Sequence, residues 1–239
     1  MGKQLNSRRV QLKAMTYVKK SHTKLYLAVI LITIIAVAGA AVAYSILTAR
    51  QYEAGVKAGD TFTYSLKGYV QLTGLDATMT EGFDVYNNTD YYKVTITDVA
   101  NKTVVTMKCD WKFLNGTLVT STQTIDVASG NKTDNYGFWA IYPANLNEAD
   151  LLRPSGFDGQ IVNNTDPSGS RALNSWHINN QFYDTKDPTQ STLMYDYRDI
   201  FFDRETGMLV SLSNYQIFNN PQKTEQIEWN LVDTSVWQV

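Results

Sequence analysis

The chain has 239 residues, with 21 Lys or Arg, 23 Asp or Glu, two histidines and a single cysteine, Cys109. One cysteine excludes an internal disulfide, and His177 with Cys109 cannot by themselves begin a typical zinc site. The formal charge of −2 hides a division: seven basic residues and no acid lie in positions 1–24, whereas 13 basic and all 23 acidic residues follow Arg50, about −10 in total. An acidic body of this kind excludes a nucleic-acid partner, which is bound mainly through Lys and Arg on phosphates.

From Leu25 to Ala49 the chain carries no charge. A helix over Leu25–Leu47 would be about 34 Å long, enough to cross a hydrocarbon core of about 30 Å. Lys3, Arg8, Arg9, Lys13, Lys19, Lys20 and Lys24 hold the N-terminal side in the cytoplasm, so residues 51–239 are expected outside the cell membrane. Ala41-Val42-Ala43 offers a signal-peptidase site, but the apolar run is longer than the 7–15 residues of an ordinary signal. A retained single-pass anchor is therefore expected. Ala36, Gly39, Ala40 and Ala43 form two small-xxx-small pairs that would let two such helices approach closely, as in a homodimer.

After a linker at 48–55, residues 56–239 read as one antiparallel β domain: a curved sheet, a half-barrel or a sandwich. Apolar residues alternate with polar ones in TFTYSL, YYKVTIT, MKCDWKF and QIEWNLV, the period of a half-buried strand. Cys109 is then a small core residue, and His177 in SWHINN is a strand residue. Ala100-Asn101-Lys102 links two strands, Asn115-Gly116 predicts a type I′ turn, and Asp203 to Gly207 predicts a short hairpin loop. One short helix is expected from Asn147, as N-cap, to Leu152, stopped by Pro154. Residues 155–171, rich in Asn, Gly and Pro, are expected to form a long loop.

Catalytic groups are hard to assemble from these residues. No Gly-x-Ser-x-Gly elbow accompanies the histidine, no phosphate-binding glycine loop occurs, and the start of a calcium loop at Asn164 fails because its twelfth position is Ser175 rather than Glu. Asp196, Asp199, Asp203 and Glu205 share their segment with Arg198 and Arg204 and read as solvated residues flanking a turn. No catalytic residue, cofactor or metal is therefore expected. Five Asn-x-Thr sequons, at Asn87, Asn101, Asn115, Asn131 and Asn163, fall in segments read as turns or loops, where a glycan could project. Tyr136, Phe138, Trp139 and Tyr142 crowd one stretch and are candidates for stacking on a ligand or meeting a membrane interface, besides core packing.

Three segments, GVKAGDTFTYSLKGY, IYPANLNEADLL and FFDRETGMLVSLS, resemble those of uncharacterised membrane-anchored ectodomains of archaea. Their shared features are a Gly-Asp-x-Phe-x-Tyr opening strand, a Pro-Ala-Asn-Leu segment and an Asp-x-x-Thr-Gly hairpin. More distantly, the run of sequential hairpins is similar to the curved sheets of bacterial lipoprotein carriers. The first resemblance implies location and fold without an activity; the second implies an apolar cavity. The expected function is accordingly an anchored, non-catalytic module of the cell envelope that meets another envelope protein or a glycan. The alternatives are a carrier of lipid or another hydrophobic small molecule and, third, a carboxylate-dependent hydrolase.

Overall fold

The computed structural model describes Leu27 and residues 30–40, 52–133, 138–169, 171–182 and 193–239. Two compact units divide the chain, Met1–Gln51 and Tyr52–Val239. In the first, Leu27 and residues 30–40 are helical and solvent-facing, with Ala36, Gly39 and Ala40 among them. Among the described residues no helix is long and apolar enough to cross a membrane. The remainder of the expected span, including Ala43, lies outside the described residues, as does Tyr136.

The second unit is mainly β, as expected, and its strands are antiparallel throughout. Nine strands are described: β1 (Thr61–Leu72), β2 (Thr89–Ala100), β3 (Val104–Phe113), β4 (Leu118–Asp126), β5 (Asn164–Ser168), β6 (Arg171–Gln181), β7 (Leu193–Asp203), β8 (Leu209–Phe218) and β9 (Lys223–Thr234). They form one open sheet in the order β4-β3-β2-β1-β9-β8-β7-β6-β5, so the two-sheet sandwich alternative does not apply. The chain starts at the centre, meanders out to the β4 edge, crosses to the opposite edge, and meanders back until β9 pairs with β1.

This order dictates the core. Because β4 and β5 are the two edges, the connection between them must traverse a whole sheet face, and it carries Phe138, Ile141, Tyr142, Leu146, Leu152 and Val162 into the interior. There they meet the inward residues of the strands, among them Phe62, Tyr64, Val94, Ile96, Met107, Ile200 and Phe202. Each large apolar side chain buried in this way contributes about 1.5–3 kcal/mol. The sheet is strongly curved around this cover: Ile125 of β4 and Trp176 of β6, near opposite edges, line the same cleft. Register shifts at Thr63/Tyr64 in β1, Ile96/Asp98 in β2 and Phe201/Phe202 in β7 supply the local bends that such curvature needs.

Several expectations are corrected in detail. The segment from Asn147 to Leu152 is not a helix: Ala149 has φ +65°, and Asp150 closes a tight turn through its amide to the Asn147 carbonyl and its carboxylate to the Asn147 amide. At Asn115-Gly116 only the glycine has positive φ, and the Gly116 amide bonds the Phe113 carbonyl, so the turn is type I with a glycine bulge. Two consecutive left-handed residues occur instead at Asn101 and Lys102. The end of the expected 155–171 loop is built into β5. The unit also begins earlier than position 56, because the Ala54 amide bonds the Lys102 carbonyl and Glu53 accepts from the Ala144 amide.

Asp203 and Asp196, expected at a solvated turn, are buried. Asp203 has no exposed surface and receives Arg171 Nε at 2.6 Å and Nη2 at 2.7 Å, together with the Thr206 amide and hydroxyl. The turn so fixed holds the cover: Gly207 accepts from the Tyr142 amide and Arg204 from the Asn145 amide. Gly207 adopts φ +75°, and a Cβ there would stand 1.9 Å from the Tyr142 carbonyl oxygen. Two substitutions follow as tests. Asp203→Ala leaves the buried Thr206 amide and hydroxyl without their acceptor and Arg171 with only Glu205, 3.1 Å away, and is expected to cost about 3 kcal/mol, read as a lowered midpoint in urea. Gly207→Ala is expected to destabilise by more than the roughly 1–2 kcal/mol of its left-handed backbone, since the cover must also shift.

Candidate functional site

Strand alternation places Asp196, Arg198, Ile200 and Phe202 on one face of β7, the concave face that the cover packs against. The register aligns Arg198 with Asn214 of β8 and Ile178 of β6, and Asn214 with Ile227 of β9. Ile200, Leu212 and Trp229 form the neighbouring row, part of which lies beneath the cover. A cleft of about 200 Å³ opens along these rows, with Phe138 and Trp139 of the cover and Tyr86 of the β1–β2 connection among its walls.

The chemistry of this cleft is aromatic and polar at once. Trp229 packs edge-on to Tyr92 at 4.9 Å and lies 6.0 Å from Tyr64 and 6.5 Å from Phe138, so its indole is held by a ring cluster. Arg198 is fixed by a two-point ion pair, Nη2 to Oδ2 of Asp196 at 2.6 Å and Nε to Oδ1 at 3.1 Å. Asp196 is 3 % exposed, so the charge is balanced inside the protein. Asn214 Oδ1 is buried and has no hydrogen-bond donor. An orphan acceptor costs about 1–3 kcal/mol, and the residue that bears it lines the cleft with Arg198 and the aromatic rings, although the oxygen itself is buried.

A second cleft, about 330 Å³, lies beyond Trp139 and is lined by Tyr142, Arg153 and Trp176, with Lys132 and Asp158 at its margin. Here the buried Arg153 binds the carbonyls of Val127, Ile141 and Trp139, tying the start of the crossover to its middle. Its guanidinium stands 4.6 Å over the Tyr142 ring. Burial lowers the Arg153 pKa and raises that of the Tyr142 phenol. The three carbonyls account for Arg153 as a structural clasp.

The aromatic quartet expected from the sequence is therefore divided. Phe138 and Tyr142 are core residues at 3 % and 1 % exposure, although each lines one cleft, and half-buried Trp139 lines both. The sequence reading missed Arg198, Asn214 and Trp229. The signal was present in MYDYRDIFF, where Asp196 and Arg198 have the parity of Ile200 and Phe202 and must therefore face inward. His177 Nδ1 lies 2.7 Å from Asp199 Oδ1, but both are exposed on the other face. Asp199 stands between His177 and Ser213 in the register, so the imidazole is not beside that hydroxyl. Among the described residues no group of three His, Cys, Asp or Glu could hold a metal ion.

All five sequon asparagines are exposed. They differ in what their amides do: Asn87 Nδ2 donates to the Gly68 carbonyl at 2.7 Å while its Oδ1 accepts from the Gly68 amide at 2.9 Å. Asn115, by contrast, uses only its oxygen, accepting from the Thr117 amide. Comparison of the sequence with protein-family models and with curated proteins returns no match.

Two predictions rest on this geometry. Asn214→Leu, of similar size, removes the orphan acceptor and is expected to raise stability by about 1 kcal/mol, read as a higher melting temperature; an unchanged or lower stability contradicts an unsatisfied Asn214. In a host that glycosylates asparagine, glycopeptide mapping of the folded protein is expected to find Asn115 occupied and Asn87 bare, because a glycan on Asn87 breaks its clamp on Gly68.

Proposed function

We propose that this chain is a membrane-anchored, extracytoplasmic module of the cell envelope, non-catalytic, whose concave cleft takes one ring-sized polar ligand such as a sugar unit of an envelope glycan. The observation that carries the reading is the pairing of Trp229 and Trp139 with the Asn214 acceptor and the neutralised Arg198 around one small cleft. A sugar ring offers what that arrangement lacks: an apolar C–H face for the indoles, acceptors for Arg198, and hydroxyl donors that Asn214 Oδ1 meets once its amide turns toward the cleft. Pockets of this kind combine apolar walls with a few fixed polar groups.

The uncharged run from Leu25 to Ala49, set between a wholly basic segment and an acidic body, supports the anchor and the outward orientation of the domain. Against the lipid-carrier alternative stands the filled interior. Tyr64 and Phe202 of the sheet and Tyr142 of the cover are fully buried between the two, in the space a lipid would occupy. Tyr64 is further fixed by its hydroxyl on the Leu209 carbonyl at 3.0 Å.

Tryptophan fluorescence reads the cleft directly. Full-length protein in nanodiscs, titrated with simple pyranosides, is expected to give a saturable change with at least one sugar, lost in Asn214→Leu. Native mass spectrometry of the detergent-extracted chain is expected to show a mass beginning at Met1 or Gly2 without a lipid-sized adduct. A stoichiometric lipid would overturn the reading in favour of a carrier, and a chain starting at Tyr44 would remove the anchor.

A further inference from the structure

We propose that the outer edge of β4 is a self-pairing interface, at which the strand joins antiparallel to β4 of a second copy with Thr120 on the two-fold axis. The proposal rests on the reading of the chain as an interaction module and names its partner, while remaining independent of the cleft.

Backbone parity defines the edge. The Thr124 amide donates to Thr133 Oγ1, the Thr133 amide to the Thr124 carbonyl, and the Asp126 amide to the Asn131 carbonyl. Even-numbered residues of β4 therefore direct their amides and carbonyls away from β3. Residues 131–133 occupy those of Thr124 and Asp126. Among the described residues nothing occupies the outward groups of Leu118, Thr120 and Thr122, and the stretch from Leu118 to Thr122 is exposed throughout.

The two sheet edges differ in how they resist association. β5 is five residues long and carries Asp166 and Pro167, devices that discourage strand addition. β4 has neither a charge nor a proline from Thr117 to Ile125. In a domain carrying about −10, copies repel over most of their surface, and an uncharged strand is where two can approach. Exposed apolar side chains gather at the same end: Leu114 at 66 %, Leu118 at 50 % and Val119 at 51 %.

Among the self-complementary registers, the one centred on Thr120 uses all three outward positions. With Thr120 opposite Thr120, Leu118 faces Thr122 and Thr122 faces Leu118, and all three pairs have outward backbone groups that bond reciprocally. A shift of two residues toward the C-terminus would set Leu118 against Thr124, whose edge Thr133 already fills. The result is an isologous dimer, in which each copy offers the same patch.

The test is a cysteine scan of the full, unglycosylated chain in nanodiscs, since Asn115 and Asn131 lie at the ends of the free stretch. Native Cys109 is 1 % exposed and does not interfere. Leu118→Cys, Thr120→Cys and Thr122→Cys are oxidised separately with oxidised glutathione and read on non-reducing gels. Paired Thr120 positions would lie about 5.5 Å apart between Cα atoms, within disulfide range, whereas Leu118 and its own copy would be about 13 Å or more apart. The expected result is a linked dimer for Thr120→Cys alone, and for Leu118→Cys only when mixed with Thr122→Cys. Adding Thr120→Pro, tolerated on a free edge, is expected to abolish that mixed link. No link at Thr120, equal links at all three positions, or a mixed link that survives Thr120→Pro would each overturn the proposal. Sugar titration of the same Thr120→Pro chain separates this failure from failure of the cleft, which β4 does not line.

Discussion

Asp203 sits without exposed surface at the end of β7 and gathers four donors, two from Arg171 and two from Thr206. A carboxylate buried this deeply is tolerable because every one of those donors is aimed at it. The arrangement freezes the turn from Asp203 to Gly207, and that turn is the surface on which the cover is hung. Tyr142 and Asn145 bond its carbonyls, and Ala144 bonds Glu53 beside it. Gly55 approaches so closely that a Cβ would stand 2.0 Å from the Glu205 carbonyl oxygen. From there the crossover runs back under the sheet, the interior is filled, and the walls of both clefts are set. Asn174 and Arg204 complete the attachment by donating to the Leu146 carbonyl.

The Pro-Ala-Asn-Leu and Asp-x-x-Thr-Gly segments that stood out in the sequence meet in this clasp. Glycine at 207 is required by a positive φ and a carbonyl pressed against it, and Asn145 takes a left-handed backbone at φ 58°. The Gly-Asp opening serves a similar end at β1, where the Asp60 carboxylate caps the Lys57 amide and the Gly59 amide bonds the Ile96 carbonyl. These short motifs are explained by chain geometry rather than by chemistry. The candidate cleft lies elsewhere, on residues that belong to no motif.

Much of the fold was legible in the residues. Alternation in TFTYSL, YYKVTIT, MKCDWKF and QIEWNLV marks stretches of β1, β2, β3 and β9, and the inward positions it selects, Phe62, Tyr64, Val94, Met107 and Cys109, are buried. What period two cannot convey is which strands are edges, and hence that the connection from β4 to β5 must cross the sheet and that its described residues supply about a third of the core. That omission explains why Phe138 and Tyr142 stood open to a ligand as well as to the core. For Asp196, charge suggested the surface while parity with Ile200 and Phe202 pointed inward, and the paired Arg198 allowed parity to prevail; Asp203 has the opposite parity and is buried instead by the turn that Arg171 and Thr206 close around it. The expected helix at Asn147 fails for a related reason, since the cover needs tight turns at Asn145 and Ala149 to present Leu146 and Leu152 to the core.

Whether the crossover is part of the core or a lid over a chamber separates a binding module with a small surface cleft from a carrier with an internal cavity. Arg153, the Asp203 turn and the aromatic cluster around Tyr64 and Trp229 all argue that the cover and sheet open together. Native-state hydrogen exchange decides this directly, because it measures the opening free energy of each amide. The account predicts that the amides of Tyr142, Asn145 and Leu152 exchange only with the global unfolding that also exposes inward residues of β1 and β2. Exchange of those cover amides at a much lower free energy, with the sheet still protected, would contradict it and identify a lid.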